Sequence, residues 1–84
     1  MSKYEKLLGS ILQGKTDANL HFDDLCQLLR RLGVEERTHG SHHIFRKLGV
    51  EERINLQRDE NKAKPYQVSQ ARRVILKYKL EEEE

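Results

Sequence analysis

The chain has 84 residues, of which 36% are hydrophobic and 36% charged, and its formal net charge is +2. This length allows one hydrophobic core, and no stretch approaches the roughly 18 consecutive apolar residues that cross a membrane. The single cysteine, Cys26, excludes an internal disulfide and agrees with a reducing compartment. We therefore predict a cytoplasmic protein with one domain, residues 1–80, and no membrane partner.

Charge is unevenly distributed along the chain. The last four residues, Glu81 to Glu84, are all acidic, so residues 1–80 alone carry about +6. Runs of like charge usually remain solvated and unfolded. We predict that residues 81–84 form a disordered acidic tail.

Two helices are predicted in the first part of the chain. Ser2 has the spacing of a capping residue, and apolar residues with helical period follow it as far as Gly14. This pattern predicts an additional N-terminal helix within residues 1–14. A second helix is predicted from Phe22 to Leu32, with Gly33 in the usual position for a helix end.

Three short strands and a last helix are predicted to follow. The strands cover residues 34–39, 41–47 and 53–57, and Gly40-Ser41 forms the first turn between them. Residues 58–64 read as a charged loop, and Pro65 begins a helix that reaches about Leu80. The predicted fold class is α+β, a three-stranded antiparallel sheet with helices on one face.

The paired histidines His42 and His43 directly follow the Gly40-Ser41 turn. Histidine is the one side chain type whose unperturbed pKa lies near neutrality, so it suits proton transfer in water. Successive side chains of a strand point to opposite faces, so only one of the pair can face a substrate on the open side of the sheet. The alternative is that both are ordinary hairpin residues.

A metal site is not expected from the spacing of the possible ligands. His39, His42 and His43 lie within five residues, but neighbours on a strand diverge, and no second cysteine accompanies Cys26. Cys26 lies on the apolar stripe of its helix, which predicts a buried thiol. We predict no metal and no cofactor.

The segment from residue 61 to residue 80 contains six cations and no acid. Cations next to the amides of a helix N-terminus attract phosphate, so this segment favours a polyanionic partner such as RNA. A solvated surface helix and a surface that docks on an acidic protein are the alternatives. The predicted RNA-binding residues are Lys62, Lys64, Arg72, Arg73 and Lys77.

Four features follow one another in this chain: Leu29-Arg30-Arg31-Leu32-Gly33-Val34-Glu35-Glu36, then Gly40-Ser41-His42-His43-Ile44-Phe45, a polar third strand and the basic helix. Together they resemble the HicA family of bacterial toxins. The resemblance covers roughly residues 20–80. It implies a fold like that of the double-stranded RNA-binding domain, with the order α-β-β-β-α after the extra N-terminal helix.

The resemblance also implies a function. HicA toxins are ribonucleases that cleave mRNA, and a HicB antitoxin covers their active site. The family's essential histidine corresponds to His42 here, with His43 as the second choice for the catalytic residue. Many family members carry a proline and a further histidine where this chain has Gln57-Arg58-Asp59-Glu60-Asn61. The resemblance therefore predicts metal-independent mRNA cleavage, and the alternative is a non-catalytic RNA-binding module of the same fold.

Overall fold

The structure, a computed structural model, describes residues 3–81. Its elements in chain order are α1 (Lys3–Leu12), α2 (Phe22–Arg31), β1 (Glu35–His39), β2 (His42–Arg46), β3 (Ile54–Asp59), β4 (Lys62–Ala63) and α3 (Pro65–Tyr78). The predicted cap at Ser2 and residues 82–84 of the predicted tail lie outside the described residues. Among residues 3–81, no helix combines the length and the apolar character that a membrane span needs.

The strands form one antiparallel sheet in the order β1-β2-β3-β4, which confirms the α+β class. The hairpin register pairs His39 with His42 next to the turn and Phe45 with Ile54 on the following strand. Gly40 has a φ of +64°, a conformation that two-residue hairpin turns require and that glycine adopts without steric cost. The glycine thus fixes which residues of β1 and β2 face each other.

The sheet has four strands where the sequence predicted three. The third strand continues to Asp59, turns at Glu60-Asn61 and returns as β4, so residues 58–64 are not the charged loop that we predicted. Backbone bonds from distant residues hold β4 in place: Ala63 N donates to Leu20 O at 3.0 Å and Phe22 N to Asn61 O at 2.9 Å. A two-residue strand held by such long-range bonds leaves no periodic pattern in the sequence.

The core lies between the helices and one face of the sheet. Phe45, Ile54 and Leu56 point to that face and are 0–2% exposed. Helix α2 packs on β1 and β4, and α3 packs on β3. The other buried apolar residues are Ile11, Leu20, Phe22, Leu25, Cys26, Leu28, Leu29, Leu32, Val34, Ala63, Val68, Ala71, Val74 and Ile75. The opposite face of the sheet has no helix over it among residues 3–81.

Helix α1 is joined to α3 by one arginine. Arg72 Nη1 donates to the carbonyl of Ile11 at 3.1 Å, and the same guanidinium holds both carboxylate oxygens of Asp17, at 2.9 and 3.1 Å. Ile11 itself is fully buried. The predicted N-terminal helix is therefore part of the core.

Candidate active site

The two histidines of β2 lie on opposite faces of the sheet, as strand alternation predicts. His43 alternates with Phe45 toward the helices, and its cross-strand neighbour Leu56 is fully buried. His42 alternates with Ile44 toward the open face, and it is exposed. The geometry therefore presents His42, and not His43, to a ligand on the open face.

A second histidine stands beside His42 on that face. His39 is the cross-strand partner of His42 in β1, and Gln57 is its partner in β3, so the three side chains form a row across the sheet. Directly opposed residues have Cβ atoms about 4.5–5.5 Å apart. Within residues 3–81 neither His39 nor His42 has a side-chain hydrogen bond or an ion pair. The two imidazoles are therefore accessible to a ligand and close to each other.

Both cations and acids lie on the open face around this row, since Glu35 is opposite Arg46 and Asp59 is opposite Lys62. Arg37 and Arg46 point to the open face and are exposed. Their neighbours along the strands, Glu36 and Phe45, point to the helix-covered face. Lys62 lies opposite Asp59 at the far edge, next to the turn that follows β3. Both hairpin turns lie at the same end of the sheet, so Lys62 of β4 approaches the His42 end. This arrangement favours a polyanion that runs across the strands.

His43 occupies a different environment below the sheet. Its Nδ1 lies 2.6 Å from Oε2 of Glu36, and its ring meets Phe22 edge-on with the centroids 4.9 Å apart. Its side chain is 24% exposed and that of Glu36 is 12% exposed. Arg30 Nε donates to the other oxygen of Glu36 at 2.8 Å. His43 is thus held by contacts inside the domain.

Cys26 lies next to this pair. Burial, and secondarily the charge of Glu36, raises the pKa of the thiol from 9.0 to about 12. The thiol therefore stays protonated at neutral pH, which excludes it as a nucleophile in this state. The donor atoms of Cys26, Glu36 and His43 all lie within 4.8 Å of one another.

Two of the predicted RNA-binding cations are engaged within the domain. Arg72 pairs with Asp17, and that hydrogen-bonded carboxylate raises the pKa of the guanidinium above its ordinary value. Lys77 Nζ donates to Oε2 of Glu52 at 3.0 Å, and this bond raises the pKa of Lys77. The helix has no acid of its own, but acids from other segments pair with two of its three cations.

The other predicted cations remain accessible. Arg73 is exposed, and within residues 3–81 neither Arg73 nor Lys64 has a side-chain partner. Lys62 is exposed and makes one long contact, from Nζ to Oδ1 of Asn19 at 3.5 Å. Lys64 precedes the first turn of α3, which contains no acid. Lys62 and Lys64 are close to the open face, whereas Arg73 lies farther along α3.

Sequence reasoning missed His39 as a partner of His42. The signal was present, because a two-residue turn at Gly40-Ser41 places the residues on either side of it directly opposite each other. It missed Glu36 next to His43 for another reason. That contact depends on the long-range register between β1 and β2 and on the rotamer of each side chain.

No protein-family model matches the chain, and no curated protein or solved structure is significantly similar to it.

Proposed function

We propose that this protein is a ribonuclease that cleaves mRNA on the open face of its sheet, by histidine acid–base catalysis without a metal. The observation that carries the proposal is the cross-strand pair His39 and His42, exposed and free of other partners within residues 3–81. A single histidine cannot both remove and deliver a proton in one step. Two imidazoles a few ångströms apart supply both functions.

The reaction uses the 2′-hydroxyl of RNA as its nucleophile. One imidazole of the pair takes the 2′-hydroxyl proton while the 2′-oxygen forms a bond to phosphorus. The bond from phosphorus to the 5′-oxygen breaks, and the other imidazole gives that oxygen a proton. The products are a 2′,3′-cyclic phosphate and a free 5′-hydroxyl. Positioned proton transfer of this kind contributes about 10² to 10⁴-fold for each group.

The surrounding cations have a separate task. Arg37 lies beside the histidine row, and Lys62 and Lys64 lie toward the β4 edge of the same end of the sheet. They bind phosphates along the strand and do not read its sequence. A cation near the scissile phosphate also stabilises the negative charge that develops there. Arg72 and Lys77 are left out of this surface because carboxylates already occupy them.

The resemblance to the HicA toxins supplies the biological setting. The order α2-β1-β2-β3-α3 is compatible with a double-stranded RNA-binding-domain-like core to which α1 and β4 are added. In that setting the protein is the cytoplasmic toxin of a toxin–antitoxin pair, and a HicB-like antitoxin covers the open face. Such a partner would bury the exposed histidines and so prevent RNA from reaching them.

The test is RNA cleavage in the presence of EDTA by wild type, His42→Ala and His39→Ala. His21→Ala is the matched control, because His21 is exposed and bridges to Lys62 at the β4 edge, away from the cross-strand pair of His39 and His42. Both row variants should lose at least about 10²-fold in rate with unchanged circular dichroism, and the control should keep wild-type activity. An RNA with a 2′-deoxy sugar at the cleavage site should resist all four proteins. Wild-type rates in both row variants would refute the assignment.

The second candidate function, a non-catalytic RNA-binding module, is favoured by the free cations Arg37 and Lys64. Such a module needs the cations but tolerates loss of both histidines. Salt-sensitive RNA binding without cleavage by the wild type would establish it. Replacing Lys64 with Ala should then weaken RNA binding, while His42→Ala should leave it unchanged.

A further inference from the structure

A cluster of three different donor groups lies on the helix-covered side of the sheet, beneath the histidine row. Cys26 comes from α2, Glu36 from β1 and His43 from β2. Their donor atoms lie within 4.8 Å of one another, and Cys26 is 3% exposed. The proposed RNA chemistry uses none of the three.

The donor set matches the ligands that Zn²⁺ takes in proteins. A thiolate, a carboxylate and an imidazole are its three usual ligand types, and three protein ligands leave a fourth position for water. Zn²⁺ binds sulfur at about 2.3 Å and nitrogen or oxygen at about 2.0–2.2 Å, so tetrahedral ligand atoms lie about 3.3–3.7 Å apart. To reach that geometry the 2.6 Å contact between His43 Nδ1 and Glu36 Oε2 must open by about 0.7 Å, and a donor separation of 4.8 Å must close by about 1.2 Å.

Neighbouring side chains already orient the donors. Arg30 Nε holds Oε1 of Glu36 at 2.8 Å and leaves Oε2 directed at His43. The Phe22 ring and the imidazole meet edge to face, and the Arg58 guanidinium lies over the Phe22 ring, 4.7 Å from its centroid. Such supporting contacts fix the ligand orientation at metal sites.

Charge also favours a divalent cation at this position. Glu36 Oε1 accepts from Arg30 Nε, and Oε2 lies 2.6 Å from His43 Nδ1, a contact that a bound ion would replace. A bound metal replaces the thiol proton of Cys26 and releases it to water. The thiolate and the carboxylate then neutralise the charge of a divalent ion. The guanidinium of Arg30 faces the carboxylate oxygen that the metal does not use.

We propose that Cys26, Glu36 and His43 bind a Zn²⁺ ion that ties α2 to β1 and β2. This site is separate from the open-face histidines, and it stands whether or not the protein cleaves RNA. The ion would lie between the helix and the sheet, and the open-face histidines project from the opposite side.

The test uses the full chain, stripped of metal with a chelator and then titrated with Zn²⁺ alone or with Co²⁺ alone. Zn²⁺ should raise the thermal midpoint, and Co²⁺ should give the near-ultraviolet charge-transfer absorption of a cobalt–thiolate bond. Cys26→Ser, Glu36→Gln and His43→Gln should each weaken Zn²⁺ binding at least about tenfold. His39→Gln and His42→Gln are the matched controls and should bind within about twofold of wild type.

Three results would overturn the proposal. The first is a wild-type chain that takes up no Zn²⁺, and the second is a Co²⁺ complex without the thiolate band. The third is Zn²⁺ binding lost in the His39 and His42 variants but kept in Cys26→Ser, which would place the ion on the open face. Should Cys26→Ser fail to fold, the cobalt spectrum of the wild type decides alone.

Discussion

The bond between Arg72 and Asp17 gives the sharpest test of how this small domain is held together. The sequence assigns Arg72 to RNA, whereas the structure assigns it to the junction of α1, the following connector and α3. Its guanidinium makes three hydrogen bonds of 2.9–3.1 Å, two to Asp17 and one to the carbonyl of Ile11. Replacing Arg72 with Ala removes all three bonds and leaves the Asp17 carboxylate without this donor, whereas the Ile11 carbonyl still accepts from Gly14 N at 3.0 Å.

The size of the effect follows from the geometry. The side chains of Arg72 and Asp17 are 21% and 26% exposed, so water screens the pair less than it screens a surface ion pair. Surface pairs contribute about 0.2–1 kcal/mol, and hydrogen bonds to charged groups about 1.5–3 kcal/mol. We expect a coupling energy of about 1–2 kcal/mol between the two residues and a total loss of about 2–3 kcal/mol for Arg72→Ala. In a domain of this size the thermal midpoint should fall by about 8–24 °C.

The assay is a double-mutant cycle with Arg72→Ala, Asp17→Ala and the double variant, each unfolded by urea. The double variant should lose less free energy of unfolding than the sum of the two single losses. RNA affinity, measured well below the unfolding midpoint, should stay within about twofold of wild type in Arg72→Ala. Strictly additive losses would refute the reasoning. So would a large drop in RNA affinity without a loss of stability.

Two further predictions concern the hydrophobic core and the dependence of stability on pH in acid. Leu28→Ala should lower the free energy of unfolding by about 2–5 kcal/mol in a urea titration, because Leu28 is fully buried in α2; a loss below about 1 kcal/mol would contradict this packing. Hydrogen bonds from the Tyr78 hydroxyl and the Lys77 ammonium lower the pKa of Glu52 from 4.5. The Glu52 carboxylate therefore stabilises the fold at pH values above its ordinary pKa, and this stabilisation is lost as the pH falls through the lowered pKa. Thermal midpoints recorded between about pH 6 and pH 3 should therefore fall more steeply for wild type than for Glu52→Gln, and parallel profiles would disprove that role.

The periodic parts of the fold were predictable from the sequence. The buried stripe of α2 and the buried residues Val68, Ala71, Val74 and Ile75 of α3 follow helical spacing, and the structure confirms both helices within two residues at each end. The first hairpin was predictable because Gly40-Ser41 separates two strand patterns. Each of these signals is local, and each is repeated over several residues, so tertiary contacts were not needed to read it.

The missed features depend on contacts between distant parts of the chain. Strand β4 exists because Leu20 and Phe22, about forty residues earlier, accept and donate its backbone bonds. The acids that pair with Arg72 and Lys77 of α3 are Asp17 and Glu52, one from the connector after α1 and one from the residues before β3. Because residues 61–80 contain no acid, the sequence alone overestimates the positive charge that α3 leaves without an acidic partner. A one-dimensional charge count does not contain that pairing.

The doubled histidine of β2 shows how packing decides which face carries which chemistry. A shift of the register by one residue would bring His42 under the helices and expose Phe45, which is 0% exposed. Exposing a buried phenylalanine costs about 1.5–3 kcal/mol, and Ile54 and Leu56 on β3 would lose the same neighbour. The Gly40 turn opposes the shift from the other end of the strand. His42 is therefore fixed on the open face, and His43 is fixed on the helix-covered face. If a His43 variant lost cleavage and also unfolded more easily, the loss would reflect a weakened fold and not a missing proton-transfer group.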